Sequence, residues 1–420
     1  MNDLKALILA GGRGTRLMPI TSDIPKPLVR LAGTPVISHI LRRLYANGVK
    51  RAVIATGHGG DMIRSYLESN GTEGVDVEFS HESEPRGTAG AAKIAMKHFD
   101  SDFILLGGDV FFDFDLSEAV SLHKARNAVA TVILSKSEFP CSFGSVCADA
   151  DGKVEAFCEK PEWRDVVSNK ISTGIYVLSP RIFDFIRDGA FLDFAKDIFP
   201  RLLGSSLYSI FLDGYFSDIG TVDSFYKTSF DVARMAGRDD CNIIDPSAKI
   251  SPSASVTDSI VMENAVVGGE AVVSGSILCR GAIVRQRAVV KNAVVSDEVP
   301  FGVARSADAS VDCTQCELKR INARVSGEYA EEMMQDGDAM FIKSVGGIVT
   351  APHGSAFTIS ELRDRSGDKG NHGVTLKFDG GEAHIRCVDS SKMEISAQSH
   401  SFDRAREIYE FAENGIKNLF

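Results

Sequence analysis

Leu7-Ile8-Leu9-Ala10-Gly11-Gly12-Arg13-Gly14-Thr15-Arg16-Leu17-Met18-Pro19 begins the stretch that decides this chain, and Ile24-Pro25-Lys26-Pro27-Leu28-Val29 completes it. A short apolar strand runs into glycines, and two cations, Arg16 and Lys26, follow on a proline-rich loop. Without Cβ atoms, backbone N–H groups can close on an oxyanion. Arg16 can fork onto two phosphate oxygens. The prolines on either side of Lys26 stiffen the backbone around a point charge. No Lys-Ser or Lys-Thr follows the last glycine, so this is not a Walker loop. Leu17 stands where a third glycine would complete a dinucleotide fingerprint, and Pro19 and Pro25 interrupt an immediate helix.

Outward from this loop, residues 1 to about 230 alternate strand and helix patterns. Thr34 is read as a helix cap, with Pro35 in the first turn and Val36, Ile37, Ile40, Leu41 and Leu44 as an apolar face that Gly48 ends. Strands are predicted over 51–56, 75–80, 103–106 and 128–135, and helices over 61–69 and 88–98. This alternation predicts an α/β, Rossmann-like, mostly parallel sheet covered on both faces. Ligands of such sheets gather beyond the carboxyl ends of strands, where the glycine loop and Asp109 both fall.

The pattern changes at Ile244. Ile244, Ile250 and Val256 are six apart; Ile260, Val266 and Val272 follow after a shorter step, then Ile277, Ile283 and Val289, then Val294. Ala265, Ala271, Ala282, Ala288 and Ala293 precede apolar residues. A six-residue period predicts a short left-handed parallel β-helix of about three coils, although the glycine usual in such hexads is often missing. Beyond it, mixed charge surrounds a possible short helix at 328–335. Strand-like pieces at 339–344, 374–378, 383–388 and 393–397 then lead to a final helix with apolar Ala405, Ile408, Phe411, Ala412, Ile416 and Leu419, a small α+β domain. The expected domains are 1–232, 243–302 and 336–420.

The chain has 420 residues, 44% hydrophobic and 25% charged, so two or three domains and an ordinary globular composition are expected. The net charge of −11 argues against a nucleic-acid partner, and an anionic substrate then needs a local cationic spot, for which Arg13, Arg16, Lys26 and Arg30 are candidates. No apolar run reaches the roughly 18 residues of a membrane span, and the start does not read as a signal peptide, so a cytoplasmic location is expected. Eight scattered cysteines read as reduced thiols, and Cys313 with Cys316 is a lone CxxC without a second ligand pair.

Gly-Gly-x-Gly-Thr-Arg-Leu-x-Pro followed by Pro-Lys-Pro-Leu resembles the signature of the sugar-1-phosphate nucleotidyltransferases. The resemblance implies transfer of a nucleotidyl group from an NTP to a sugar 1-phosphate with release of pyrophosphate. It places Leu9, Gly11, Gly12, Gly14, Thr15 and Arg16 on the nucleotide and Lys26 beside the reacting phosphates. Asp109 and Asp218 match the family's metal-binding aspartates, with Mg²⁺ the implied ion, and Arg16, Lys26 and Asp109 are the implied catalytic set. Asp113 and Asp115 rank second. Glu82 and the Gly87-Thr88-Ala89-Gly90 turn fall where the family holds the base; a glutamate accepts from the paired N–H groups of guanine, which leans toward GTP. Gly144, Glu159, Lys160, Ser172 and Gly174 fall on the sugar-phosphate side, with Ser172 where the family often has Asn. β-Helix units are common in the family and serve assembly, and exposed apolar edges suggest a homo-oligomer. The tail resembles the C-terminal domain of phosphohexomutases, but Arg386 to Glu394 lacks that domain's glycine and threonine, and Asp389 and Glu394 would repel phosphate, so assembly or regulation is expected of it. Together these features favour GTP with mannose 1-phosphate. The alternatives are a heptose 1-phosphate with GTP, glucose 1-phosphate with UTP or dTTP, and a silent subunit that senses nucleotide sugars.

Overall fold

Ala6, Leu7 and Ile8 are wholly buried at the centre of the first sheet, the outcome of an apolar run too short for a helix and closed by glycine. In the computed structural model the described residues are 4–137, 139–238, 241–296, 298–299, 358–363, 372–378, 381–389 and 392–399. They divide into two compact units. Residues 4–133, 150–153 and 173–299 belong to the first; 134–149, 154–172 and the strands from 358 onward belong to the second.

In chain order the elements are β1 (Lys5–Ala10), β2 (Arg30–Leu31), β3 (Thr34–Pro35), α1 (Val36–Ala46), β4 (Arg51–Thr56), α2 (Gly60–Asn70), β5 (Asp76–His81), α3 (Gly87–Ile94), β6 (Phe103–Gly107), β7 (Val110–Phe112) and α4 (Ser117–Ala125). Next come β8 (Ala130–Lys136), β9 (Gly144–Ala148), β10 (Val154–Glu159), β11 (Lys170–Leu178), α5 (Phe199–Leu202), β12 (Leu207–Phe211), β13 (Phe216–Asp218) and α6 (Val222–Met235). In the first unit β6, β1, β4 and β5 lie side by side in that order, all parallel, and the end of β11 runs antiparallel to β6. β1 therefore has β4 on one flank and β6 on the other, so the strand order reverses there and a crevice opens beyond the two carboxyl ends. In the second unit β9 and β10 form an antiparallel pair.

Most predicted elements sit within a residue or two of their expected places. Thr34 is a correction: it pairs with Leu31 in a two-stranded ribbon, and α1 starts at Val36 with no side-chain cap. The strand is favoured because Val36 N–H donates to Val29 O, which folds the ribbon back before the helix begins. The second helix over 88–98 is shorter than expected, ending at Ile94 before a separate turn of 3₁₀ helix.

The hexad stretch forms a three-sided parallel β-helix. Its strands are β14 (Asn242–Ile244), β15 (Lys249–Ile250), β16 (Ser255–Thr257), β17 (Ser259–Val261), β18 (Val266–Val267), β19 (Val272–Ser274), β20 (Ile277–Leu278), β21 (Ile283–Val284), β22 (Val289–Lys291), β23 (Val294–Val295) and β24 (Glu298–Val299). They stack into three ladders, β14-β17-β20-β23, β15-β18-β21-β24 and β16-β19-β22. The interior is filled by Val261, Ala265, Val267, Ala271, Val273, Leu278, Ala282, Val284, Ala288 and Val290. On two faces the hexad valines and isoleucines, such as Val266, Val272, Ile283 and Val289, are therefore half-buried outward residues. The alanine before and the valine after each of them point inward, as strand alternation requires.

The missing glycines have a backbone explanation. Asp258, Asn264, Glu270, Gly275, Gly281, Arg287 and Asn292 all have positive φ, six, six and five residues apart in turn. These are the corners. Asn and Asp tolerate that region and Gly favours it, whereas Glu and Arg enter it at a cost of about 1–2 kcal/mol. The short step of five makes each lap 17 residues, seen in a buried ladder: Ser259 N–H donates to Asn242 Oδ1 (3.0 Å), Ser276 N–H to Ser259 Oγ (3.2 Å) and Ala293 N–H to Ser276 Oγ (3.2 Å).

The first ladder faces the sheet domain of its own unit. Ile243, Ile260, Ile277 and Val294, one per lap, are 2–6% exposed and belong to the same apolar core as Ile20, Leu31 and Phe225. In the second unit, β25 (Thr358–Arg363), β26 (His372–Phe378), β27 (Gly381–Asp389) and β28 (Lys392–Ser399) form an antiparallel meander. The strands expected at 374–378, 383–388 and 393–397 lie within it, and β25 is additional. The CxxC, the helices expected at 328–335 and 405–419 and the strand expected at 339–344 lie outside the described residues.

Candidate active site

Four parallel strands end on one side of the sheet, and each delivers part of a single region. β1 delivers Gly11 to Gly14, β4 delivers Gly57, β5 delivers Glu82, and β6 delivers Gly108 and Asp109. Gly108 N–H donates to Leu9 O (2.8 Å), and a Cβ at Gly108 would lie 3.0 Å from that oxygen and 3.1 Å from the Pro27 ring. The ends of β1 and β6 and the proline loop thus meet where only glycine fits.

Lys26 is the charged centre of this meeting. Its stem passes beside Gly14, where a Cβ would come within 2.9 Å of Lys26 Cγ. Its ammonium donates to Asp109 Oδ2 at 2.9 Å, with the lysine side chain 11% and the aspartate 31% exposed. Asp218 is brought alongside by β13, which pairs antiparallel with β7 so that Asp218 stands opposite Val110, and Ile219 N–H donates to Asp109 O (2.8 Å). Lys26, Asp109 and Asp218 come from three distant segments and converge.

Arg13 and Arg16 stand on either side of Gly14 in the glycine loop, both exposed, and neither has a hydrogen-bond or charged partner among the described residues. Two cations without counterions beside glycine amides make a receptive place for phosphate. Arg30 departs from expectation. It pairs with Glu263 (2.8 Å) and lies 3.9 Å from Asp245, so its charge is spent on the β-helix.

At the far side of the loop, Glu82 tucks between Gly11 and Gly57. A Cβ at Gly11 would fall on its carboxylate, and one at Gly57 would stand 3.3 Å from it. Its Oε2 is buried without a hydrogen-bond partner in the structure. Burial raises the Glu82 pKa above the ordinary glutamate value, against a smaller lowering by the Arg86 backbone N–H. An acceptor with no donor costs free energy until a ligand supplies one.

The Gly87-Thr88-Ala89-Gly90 turn begins α3, and the N–H groups of Thr88, Ala89 and Gly90 are already engaged. Thr88 N–H and Oγ1–H both donate to Asp193 Oδ1 (3.1 and 3.0 Å), and Ala89 N–H donates to Leu192 O (2.9 Å). Asp113 accepts from Tyr215 N–H and so ties the end of β7 to the start of β13, and Asp115 accepts from Ser117 N–H (2.9 Å) and holds the turn at the start of α4. Thr15 lies exposed in a single 3₁₀ turn.

Of the sugar-side candidates, Gly144, Glu159, Lys160 and Ser172 lie in the second unit and Gly174 in the first. Gly144 pairs with Glu159 across β9 and β10, and a Cβ there would meet the Phe157 ring at 2.8 Å and Glu159 Oε2 at 2.9 Å. Lys160 is exposed, with φ at 48°, an unusual conformation for lysine, held by its N–H to Phe143 O (2.9 Å). Ser172 is 8% exposed. Gly174 has φ at 73° and open space where a Cβ would be.

Sequence reasoning missed Asp193, which caps α3, and Asp231. Asp231 accepts from Tyr215 Oη–H (2.6 Å) and Lys227 Nζ (2.7 Å) and so anchors the strand that carries Asp218. Neither sits in a motif; helix spacing pairs Asp231 with Lys227 and Arg234, but nothing local points to Tyr215 or to Thr88 as a partner.

The fold and the site together define an α/β protein with a glycine loop, the Lys26–Asp109 ion pair and Asp218 on the neighbouring ribbon at the switch point of a parallel sheet. Residues 5–234 match the model of the Nucleotidyl transferase family. The chain belongs to that family. It is similar to a mannose-1-phosphate guanyltransferase of Yarrowia lipolytica, 39% identical over 228 residues, and to a UTP–glucose-1-phosphate uridylyltransferase of Synechocystis, 35% identical over 240 residues. Each match takes in 53% of this chain and 62% of the relative, so the chain spans less than two thirds of their length. Among solved structures, a UDP-glucose pyrophosphorylase from Acinetobacter baumanii matches with a TM-score of 0.50 at 21% identity, over 55% of this chain and 94% of that one, a likeness of fold.

Proposed function

We propose that this chain transfers a guanylyl group from GTP to mannose 1-phosphate, giving GDP-mannose and pyrophosphate. The observation that carries the reading is the convergence of Lys26, Asp109 and Asp218 at the switch point, beside the unpaired Arg13 and Arg16. A sugar-phosphate oxygen attacks the α-phosphorus in line, the bond from that phosphorus to the bridging oxygen breaks, and pyrophosphate leaves with the electron pair. No covalent nucleophile is needed, so catalysis is positioning and charge neutralisation. Arg16 and the amides of Gly11, Gly12 and Gly14 grip the triphosphate, and Lys26 meets the charge that grows on the leaving oxygens.

Asp109, in the turn before β7, and Asp218, on β13, are hard-oxygen donors, and among the described residues no group of three or more acidic, His or Cys side chains gathers as a metal cage. That set fits Mg²⁺, which takes one or two carboxylates plus substrate phosphates. The ion, when bound, would neutralise phosphate charge.

Glu82 supports guanine. Its unpartnered oxygen accepts from the adjacent N1–H and N2–H donors of that base, whereas uracil and thymine offer a single donor there. The Yarrowia relative's name points the same way. The Synechocystis relative's name supports a second reading, UTP with glucose 1-phosphate.

In this proposal residues 1–232 carry the chemistry, with Gly144, Glu159, Lys160, Ser172 and Gly174 serving the sugar phosphate. Residues 243–302 serve assembly through half-buried rows such as Val266 and Ile283, and 336–420 assembly or regulation. The setting is the cytoplasm, consistent with the free thiols of Cys141, Cys147, Cys158, Cys241 and Cys279. Pyrophosphate release with a panel of nucleotides and sugar 1-phosphates tests the reading. GTP with mannose 1-phosphate should turn over fastest; no release with any pair would overturn it.

A further inference from the structure

The loop that carries Lys26 is held from outside, by the β-helix. Arg280, at the corner between β20 and β21, donates from Nε to Asp23 Oδ2 (3.0 Å) and from Nη2 to Asp23 Oδ1, and its Nη2 also donates to Ile20 O (2.9 Å). One guanidinium thus grips both a side chain and a backbone carbonyl of the loop, and its side chain is only 20% exposed. Such two-pronged pairs fix geometry as well as adding attraction. At the other end of the loop Arg30 Nε pairs with Glu263 Oε1 at 2.8 Å, again on the β-helix, and Arg238 Nη1 donates to Ala32 O (3.3 Å). Between these fastenings Leu28 N–H donates to Pro25 O (2.9 Å) and Val29 N–H to Lys26 O (3.0 Å), so displacement of either end is passed to Lys26.

We propose that Arg280 and Glu263 are positioning residues for the reaction: the β-helix clamps the Ile20–Arg30 loop at both ends and thereby sets where the Lys26 ammonium stands. The inference rests on the reading of Lys26 as a contact of the nucleotide phosphates. It gives the β-helix a part in the chemistry, in addition to assembly. The fastenings bracket Lys26, and both use charged pairs whose geometry is directional, where a packing face alone would need only apolar contact. The apolar part of the docking face, Ile243, Ile260 and Ile277, is a separate layer of the same interface.

The test uses the full chain and its Arg280→Gln, Arg280→Lys, Asp23→Asn, Lys26→Ala and Arg280→Gln/Lys26→Ala variants. GTP affinity is measured by calorimetry, and backbone hydrogen exchange is followed for the peptide spanning 20–30. Arg280→Gln should speed exchange in that peptide while leaving β1 protected, and weaken GTP binding about tenfold, the order expected of a charge displaced by a fraction of an ångström. Arg280→Lys should recover part of the loss. On the Lys26→Ala background Arg280→Gln should add nothing, because the two act as a unit. Unchanged exchange in 20–30, or an effect on GTP affinity that is fully additive with Lys26→Ala, would overturn the clamp. If Arg280→Gln lowers the protein's overall stability, Asp23→Asn, at an exposed partner, decides in its place. Failure of the wild type to release pyrophosphate would overturn the proposed reaction instead, and the exchange measurement would still decide whether the loop is clamped.

Discussion

Lys26 sits in a contact that must change for it to work. In the structure it neutralises Asp109, and a substrate triphosphate would compete with that carboxylate for the same ammonium. Lys26→Ala should therefore keep its fold and lose turnover by about 10²–10³, the usual loss when one electrostatic stabiliser of a transition state is removed; far-UV circular dichroism and pyrophosphate release check the two halves. Glu82 makes a second prediction with a definite sign. Its pKa is raised by burial, so the folded state holds its proton more tightly than the unfolded one, and ionisation costs stability as pH rises above the ordinary carboxylate range. Glu82→Gln should raise the melting temperature at neutral pH, lose that gain as pH falls below about 4.5, and shift preference from GTP toward UTP. Equal melting temperatures at pH 7 would contradict the burial argument. These positions were legible in the sequence to different degrees. The glycine loop, Arg16 and Lys26 form a strand ending in groups that suit phosphate, a pattern an ordinary tight turn shares, and the family signature is what singles them out. Asp109 and Asp218 do not, because a hundred residues separate them and their meeting depends on the pairing of β7 with β13; only resemblance joined them. Arg30 was misread for the same reason, since its partners Glu263 and Asp245 lie beyond any local window.

The β-helix shows how a repeat is recognised before its phase is. Apolar spacing revealed the coil, yet the spaced valines on two faces are its outer rows, and the interior belongs to the alanines before them and the valines after. Corner conformation explains this, since a residue in the left-handed region resets the alternation at each turn. Gly281 and Gly275 separate the terms. Both have positive φ, but a Cβ at Gly281 would enter open space while one at Gly275 would strike Asn292 Oδ1. Gly281→Ala should cost about 1–2 kcal/mol from backbone strain alone, and Gly275→Ala a little more, because the exposed Asn292 side chain must also turn aside; denaturant titration measures both, and no loss at Gly281 would refute the strain argument. Leu278 is wholly buried inside the coil, and Leu278→Ala should cost about 2–5 kcal/mol through lost burial and a cavity. The strand alternation of the sheet domain was easier to read because β1, β4 and β6 are buried on both faces and stand out as continuous apolar runs.

In the first unit the sheet domain and the β-helix share one apolar core through Ile243, Ile260, Ile277 and Val294. Ile260→Asp should therefore lower a single thermal transition that also abolishes GTP binding; two separate transitions, with binding tied only to the later one, would show that the parts are energetically independent. None of this coupling could be read from the chain, because each docking residue is also a plausible interior residue of its own coil. The 17-residue lap has a corollary for how this protein could be lengthened or trimmed. Only one side of the coil carries the docking isoleucines, so removing a single hexad would turn every later side by a third of a revolution and present Val266-type residues where Ile277 should rest. Taking out or inserting one whole circuit would restore the alignment. The coil is in this sense a ratchet, free to change its number of teeth but not to stop between them.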